Sequence, residues 1–203
     1  MSGKRSLIYG VGVNDWHTLI RENGAYKVIP EYEMWRGMLK RVYCTKSHQK
    51  HPAYKGTTVD PNWHSMTAFI EDVSTLIGYD KALTDKWQLD KDILSNGGKH
   101  YSKDTCCFIP RQVNTLITNR KPYRGEYPCG VTKRARGYKY EARLSTFDQG
   151  RLHLGDFKTP EEAFYVYKEA REAYVKRIAN LWKDEIDTRV YDILMAWEVN
   201  IDD

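Results

Sequence analysis

Cysteine and long apolar runs are both scarce in this chain, and each scarcity removes a class of protein. Its 203 residues hold four cysteines and seven prolines. Cys106 and Cys107 are adjacent, and neither Cys44 nor Cys129 completes a Cys-x-x-Cys pair. A disulfide scaffold and a zinc ribbon are therefore excluded, and reduced, mostly buried thiols with no zinc are expected. No run approaches the roughly eighteen apolar residues of a membrane span. The opening Met-Ser-Gly-Lys-Arg lacks the apolar core of a secretory signal, so an intracellular protein is expected. Gly10-Val11-Gly12 lacks the third glycine and following helix of a nucleotide loop and is set aside. His48, His51 and His64 stand at irregular spacing, and read as loop and surface histidines rather than metal ligands.

What is present is a folded, unevenly charged chain. Apolar residues make up 41%, with fifteen tyrosines and six tryptophans, which is far from a disordered composition. Between Thr118 and Lys158 there are ten Lys/Arg against four Asp/Glu, a net of +6. The remainder holds 22 basic and 23 acidic residues, a net of −1, so the formal charge of +5 sits in one fifth of the sequence. Charge gathered on one module with aromatics between is the footprint of a surface that meets phosphates.

The pattern inside that module predicts three strands and a helix. Tyr140, Ala142 and Leu144 alternate with Lys139, Glu141, Arg143 and Ser145, the period of two of a half-buried strand. Leu152 and Leu154 against Arg151 and His153 repeat it after a turn at Asp148-Gln149-Gly150. Cys129-Gly130-Val131 supply a shorter strand before the basic tip Lys133, Arg134 and Arg136. Thr159-Pro160-Glu161-Glu162 combines a capping hydroxyl, a first-turn proline and a glutamate three residues on. The helix it starts carries Ala163, Tyr167, Ala170, Tyr174 and Ile178 on one stripe.

Gly130-Val131, Tyr140-Glu141-Ala142-Arg143-Leu144, His153-Leu154-Gly155-Asp156-Phe157 and Thr159-Pro160-Glu161-Glu162-Ala163, in that order, resemble the APETALA-type DNA-binding domain. That domain is found in plant ethylene-response factors and appended to phage homing endonucleases. The resemblance spans about fifty residues and implies that the exposed sheet face enters the major groove of double-stranded DNA. Carried over by position, Thr132, Arg134, Arg143, Ser145, Arg151 and His153 face DNA, with Lys133, Arg136 and Lys139 as neighbouring basic contacts. Tyr140 stands at the family's second-strand aromatic position, and several arginines of the plant version are absent.

Upstream, Trp35, Met38, Leu39 and Val42 predict an amphipathic helix, and Met66, Phe69, Ile70, Val73, Leu76 and Ile77 a second one stopped by Gly78. Leu89 to Leu94 and Cys106 to Ile109 read as two short strands around a Gly97-Gly98 turn, and Gln112 to Ile117 as a helix start. Leu89-Asp90-Lys91-Asp92-Ile93, Tyr101-Ser102-Lys103-Asp104-Thr105-Cys106 and Asn114 resemble the ββα core of phage HNH (His-Me finger) endonucleases. Trp35, Met38-Leu39, Arg41, Tyr43, Tyr54, Gly56 and Trp63 resemble the region before it. With the C-terminal module, the likeness covers about four fifths of the chain.

That resemblance implies magnesium held by Asp90 and Asn114, with Thr105 in place of the base-orienting Asn. The chemistry needs a hard divalent cation at the scissile phosphate and a neutral imidazole as base. Lys91 stands where that histidine belongs, and an exposed lysine is protonated at neutral pH unless burial lowers its pKa by several units. Two readings stand. Either Asp92, His100 at the hairpin tip, or a desolvated Lys91 serves as base, or the core is a relic and the protein a repressor that occupies its operator.

The expected architecture is α+β: an N-terminal segment over 1–31, an HNH-like domain over 32–117 and a basic linker over 118–126. A sheet-and-helix DNA reader over 127–180 and a terminal helix over 181–203 complete it. That last helix, with Val190, Tyr191, Leu194 and Trp197 inward, is expected to pack on a module or to make a homodimer contact. The expected partner is duplex DNA and the expected setting the cytoplasm of a bacterial host. An RNA-binding module is the third class, since basic sheets with tyrosines also stack single strands.

Overall fold

A computed structural model describes residues 6–117, 125–135, 137 and 139–202. The chain is mixed α+β and divides into two compact units, the first ending at Pro110 and the second starting at Arg111. The division comes before the basic stretch expected as the linker, most of which lies outside the described residues. It transfers the helix carrying Asn114 to the second unit.

The first unit opens with a hairpin, β1 (Leu19–Glu22) and β2 (Ala25–Val28), paired antiparallel and exposed along its length. Neither strand carries an apolar alternation in its sequence that predicts it. Helix α1 (Pro30–Tyr43) buries Trp35, Met38, Leu39 and Val42, the four residues that predict it. Gly12 lets the N-terminal segment lie against this helix, because a Cβ there would stand 2.5 Å from a Leu39 methyl carbon. That packing accounts for the second glycine of Gly-Val-Gly without a nucleotide. Helix α2 (Thr45–Lys50), a 3-10 turn (Pro52–Tyr54), β3 (Thr58–Val59) and a second 3-10 turn (Pro61–His64) follow.

Helix α3 (Met66–Val73) is shorter than expected. The Ser74 and Thr75 hydroxyls donate to the carbonyls of Glu71 and Asp72, pulling the backbone out of its ladder. Gly78, at φ +84°, caps α4 (Tyr79–Thr84) rather than ending α3, and a Cβ there would meet the Trp87 ring at 2.8 Å. Strands β4 (Gln88–Asp90) and β6 (Cys107–Ile109) pair antiparallel. Between them β5 (His100–Tyr101) pairs in parallel with β3, so His100 belongs to a strand and not to a free hairpin tip.

The second unit contains α5 (Arg111–Leu116) and an antiparallel sheet in the order β7 (Val131–Lys133), β8 (Tyr140–Ser145), β9 (Arg151–Phe157). Strand β7 starts at Val131, two residues later than expected, because Gly130 is a turn residue at φ +77°. Helix α6 (Pro160–Leu181) lies across the sheet; it buries Ala163, Phe164, Tyr167, Tyr174, Val175 and Ile178, and the strands bury Val131, Ala142 and Leu144. Its capping box is complete: the Thr159 hydroxyl accepts from Glu162 N at 3.2 Å, and Glu162 Oε2 accepts from Thr159 N at 3.3 Å. Helix α7 (Thr188–Ala196) packs on α6 through Val190 and Leu194, with the Tyr191 hydroxyl donating to Asn180 at 2.9 Å. It ends before Trp197, shorter than the expected span. All four cysteines are free, and no described helix is long and apolar enough to cross a membrane.

Two substitutions test this packing. Thr159→Ala is expected to lower the unfolding free energy by about 1 kcal/mol in urea titration, the usual value of a lost N-cap. Gly130→Ala is expected to cost more, since its Cβ would fall 2.1 Å from the Tyr167 ring at a positive φ. A neutral Gly130→Ala would contradict the placement of Tyr167 under β7.

Candidate nucleic-acid interface

The face of the sheet turned away from α6 is built by strand alternation. Strand β8 puts Tyr140, Ala142 and Leu144 toward the helix, and Glu141, Arg143 and Ser145 on the other side. Cross-strand register adds Thr132 opposite Glu141, His153 opposite Arg143 and Arg151 opposite Ser145. A bulge in β9 between the Ala142 and Arg143 pairings leaves Leu154 without a partner. The extra residue shifts the phase, so His153 and Asp156, three apart, stand on the same face.

At the centre of this face lies Glu141, buried although it is charged. Its Oε2 accepts from Arg143 at 2.7 Å, its Oε1 accepts from His153 Nδ1 at 2.7 Å, and Arg134 lies 3.7 Å away. Arg134 also forms a two-pronged pair with Asp156, at 2.7 and 2.9 Å. The Arg143 hydrogen bond, then that of His153 and the two guanidinium charges, hold the Glu141 carboxyl below the usual carboxylate range, with burial opposing. These contacts fix Arg134, Arg143 and His153 around one point. Thr132, Lys133, Lys139, Ser145 and Arg151 are exposed, and Arg151 has no ion pair among the described residues. Arg136 lies outside the described residues.

Glu141 and Asp156 were missed as organising groups. The signal for Glu141 was available, since it shares the phase of Arg143 on β8. That for Asp156 was not, because the bulge hides its face. Glu141, His153 and Asp156 also bring potential ligand atoms within 4.8 Å of one another. A cation there would have to displace the Arg134 and Arg143 guanidinium groups, so the trio reads as an ion-pair network.

The expected catalytic residues are divided between the units, Asp90, Lys91, Asp92, His100 and Thr105 in the first and Asn114 in the second. Asp90 is buried, and its Oδ1 accepts from the backbone N–H groups of Asp92 (2.9 Å) and Ile93 (2.8 Å), capping its own turn. Burial is the main cause that pushes its carboxyl up from the ordinary range. Lys91 is buried rather than exposed. Its amine donates to Asp92 and to the Gly98 carbonyl (3.0 Å), and lies over the rings of Tyr54 and Tyr101. His100 Nδ1 is 2.8 Å from the Thr58 hydroxyl, and the Thr105 hydroxyl donates to the His100 carbonyl at 2.8 Å, closing the 100–105 turn. Burial pushes the neighbouring Cys106 thiol up to about 12, which removes it as a nucleophile near neutral pH.

Asn114 is on α5, which belongs to the second unit, whereas Asp90 belongs to the first. Magnesium prefers charged, hydrated oxygens. Asp90 offers a desolvated carboxyl already bound to backbone, and no trio of ligating side chains surrounds it among the described residues. The residues of the first unit do not fit that metal.

No protein-family model matches the chain, and neither curated proteins nor solved structures give a match.

The Glu141 network predicts a pH dependence. A carboxyl with a depressed folded pKa contributes stability above its ordinary value, about 4.3, and that contribution is lost as pH falls through the folded value. The stability gap between wild type and Glu141→Gln, followed by thermal unfolding, is therefore expected to be widest near neutrality and to close on acidification. A gap constant from pH 7 to 3 would contradict the network.

Proposed function

We propose that the chain is a sequence-specific double-stranded DNA-binding protein of the phage homing-endonuclease type, reading the duplex with the exposed face of its β7–β8–β9 sheet. The observation that carries this reading is the gathering of Arg134, Arg143, Arg151 and His153, with Thr132 and Ser145, on one exposed sheet face backed by α6. Arginine suits the task because its planar fork matches the acceptors of guanine, at about 1–3 kcal/mol of discrimination per good pair. Holding Arg143 on Glu141 uses one terminal nitrogen and leaves the remaining donors for a base edge. A guanidinium fixed before binding loses less side-chain freedom on docking. β-Sheet readers of duplex DNA are an established docking geometry.

Occupancy rather than cleavage is the reading the first unit supports. Lys91 is committed to Asp92, Gly98 and two tyrosine rings, and Asp90 to its own turn. Both act as scaffold. Such a protein works by sitting on an operator-like site, as repressors do.

Two assays test the proposal. Duplexes selected from a random pool should be retained in a gel, and Arg143→Ala should weaken that binding about 10- to 100-fold while affecting a scrambled duplex less. Unchanged binding, or preference for RNA of equal length, would contradict sheet readout. A supercoiled plasmid carrying the selected site should stay intact with magnesium or manganese; nicks abolished by Asp90→Asn would instead establish cleavage.

A further inference from the structure

The sheet face is only modestly basic. Among the described residues, Arg134, Lys139, Arg143 and Arg151 stand against Glu141 and Asp156, a net of +2, while Lys133, opposite Tyr140, lies on the other side of the sheet. Tight duplex binders commonly neutralise about 6–10 phosphates. The first unit carries a second concentration of positive charge.

From Met34 to Val59 there are six Lys/Arg and no Asp/Glu, a net of +6, while the rest of that unit has nine basic and twelve acidic residues. Averaging over the unit conceals this run. The fold gathers it. Arg36 and Lys40 are one turn apart on the exposed side of α1, and Lys46 and Lys50 one turn apart on α2. His48 Nε2 donates to the Arg41 carbonyl at 2.8 Å, tying α2 to α1. Lys55 follows the 3-10 turn, and Lys99 joins it by donating to the Lys55 carbonyl at 2.9 Å. The half-buried Arg41 lies 5.8 Å from the Tyr54 ring centre and 5.7 Å from that of Tyr101, with Nε donating to the Tyr101 hydroxyl at 3.1 Å.

None of these seven cations has an ion-pair partner among the described residues, whereas Lys27, Lys81, Lys91 and Lys103 of the same unit each have one. A solvated solubility face is the plain alternative, but such faces mix signs. Here two like-charged pairs stand four residues apart, each costing about 0.2–0.5 kcal/mol in an isolated helix. Attraction to helix C-termini accounts for Lys40, Arg41 and Lys50. It leaves Arg36, Lys46, Lys55 and Lys99 unexplained.

We infer that the end of α1, α2 and the following 3-10 turn form a second contact surface, which grips the phosphate backbone of duplex DNA without reading its sequence. The inference rests on the duplex-binding reading and extends it. Lysines dominate this surface, and a flexible ammonium meets phosphate as a point charge with little demand on geometry. Positioning by backbone contacts here complements base readout by the sheet.

The test uses the full chain and fluorescence anisotropy over a potassium chloride series, with a selected duplex and a scrambled one. In the Lys46→Gln/Lys50→Gln/Lys55→Gln variant the slope of log Kd against log salt is expected to fall by about 2–3, at ~0.9 per lost phosphate contact. Affinity for both duplexes should drop in proportion, leaving their ratio unchanged. A slope and affinities equal to wild type would overturn the surface while Arg143→Ala still lowered the ratio, leaving sheet readout standing. A triple variant that altered only the ratio would overturn the backbone assignment. Absence of any duplex binding by the wild type would overturn both.

Discussion

A single desolvated carboxylate organises the second unit. Glu141 is covered by the groups it holds, Arg143, His153 and Arg134, and it stays charged because those donors replace the water it lost. Its position depends on two facts of backbone geometry. Strand β8 runs without interruption, so Glu141 and Arg143 share a face. The bulge in β9 then returns Asp156 to the face of His153, giving Arg134 its bidentate partner. Delete the extra residue and the phase of β9 slips, turning Asp156 or His153 toward α6. The basic face is thus a product of register as much as of composition.

The two units treat positive charge in opposite ways. On the sheet Arg134 and Arg143 are restrained by acids, which lowers net charge and raises geometric definition. Along α1 and α2 the cations are left without acids, which raises net charge at the expense of definition. That contrast matches the two demands of reading a duplex, discrimination at base edges and affinity from phosphates. Asp90 and Lys91 fit neither role. Their burial, with Tyr54 and Tyr101 closing over the Lys91 amine, makes them part of the core that holds β4, β5 and the 3-10 turn in place.

Much of this was legible in the sequence wherever a periodic apolar stripe met a clear stop signal. Trp35, Met38, Leu39 and Val42 specified α1, and Thr159 with Glu162 specified the start of α6. Legibility failed where hydroxyls bond back to the local backbone or glycines answer to tertiary contacts. Ser74 and Thr75 ended α3 early, and Gly78 and Gly130 were set by the rings of Trp87 and Tyr167. The Leu19–Val28 hairpin carries no alternation because both its faces are exposed, so period-two reasoning had nothing to detect. For the site, β8 alternation placed Arg143 and Ser145, while the bulge phase and the buried state of Lys91 emerged only in three dimensions. The acid-free run from Met34 to Val59 was legible in principle, but averaging over the whole remainder concealed it.

The central claim is that duplex DNA lies on the sheet face opposite α6. The most direct measurement is a backbone amide chemical-shift titration of the labelled protein with a selected duplex. The account predicts the largest shifts at Thr132, Arg143, Ser145, Arg151 and His153, with the buried stripe of α6 unmoved. Shifts confined to α6 and α7, with the sheet silent, would contradict it.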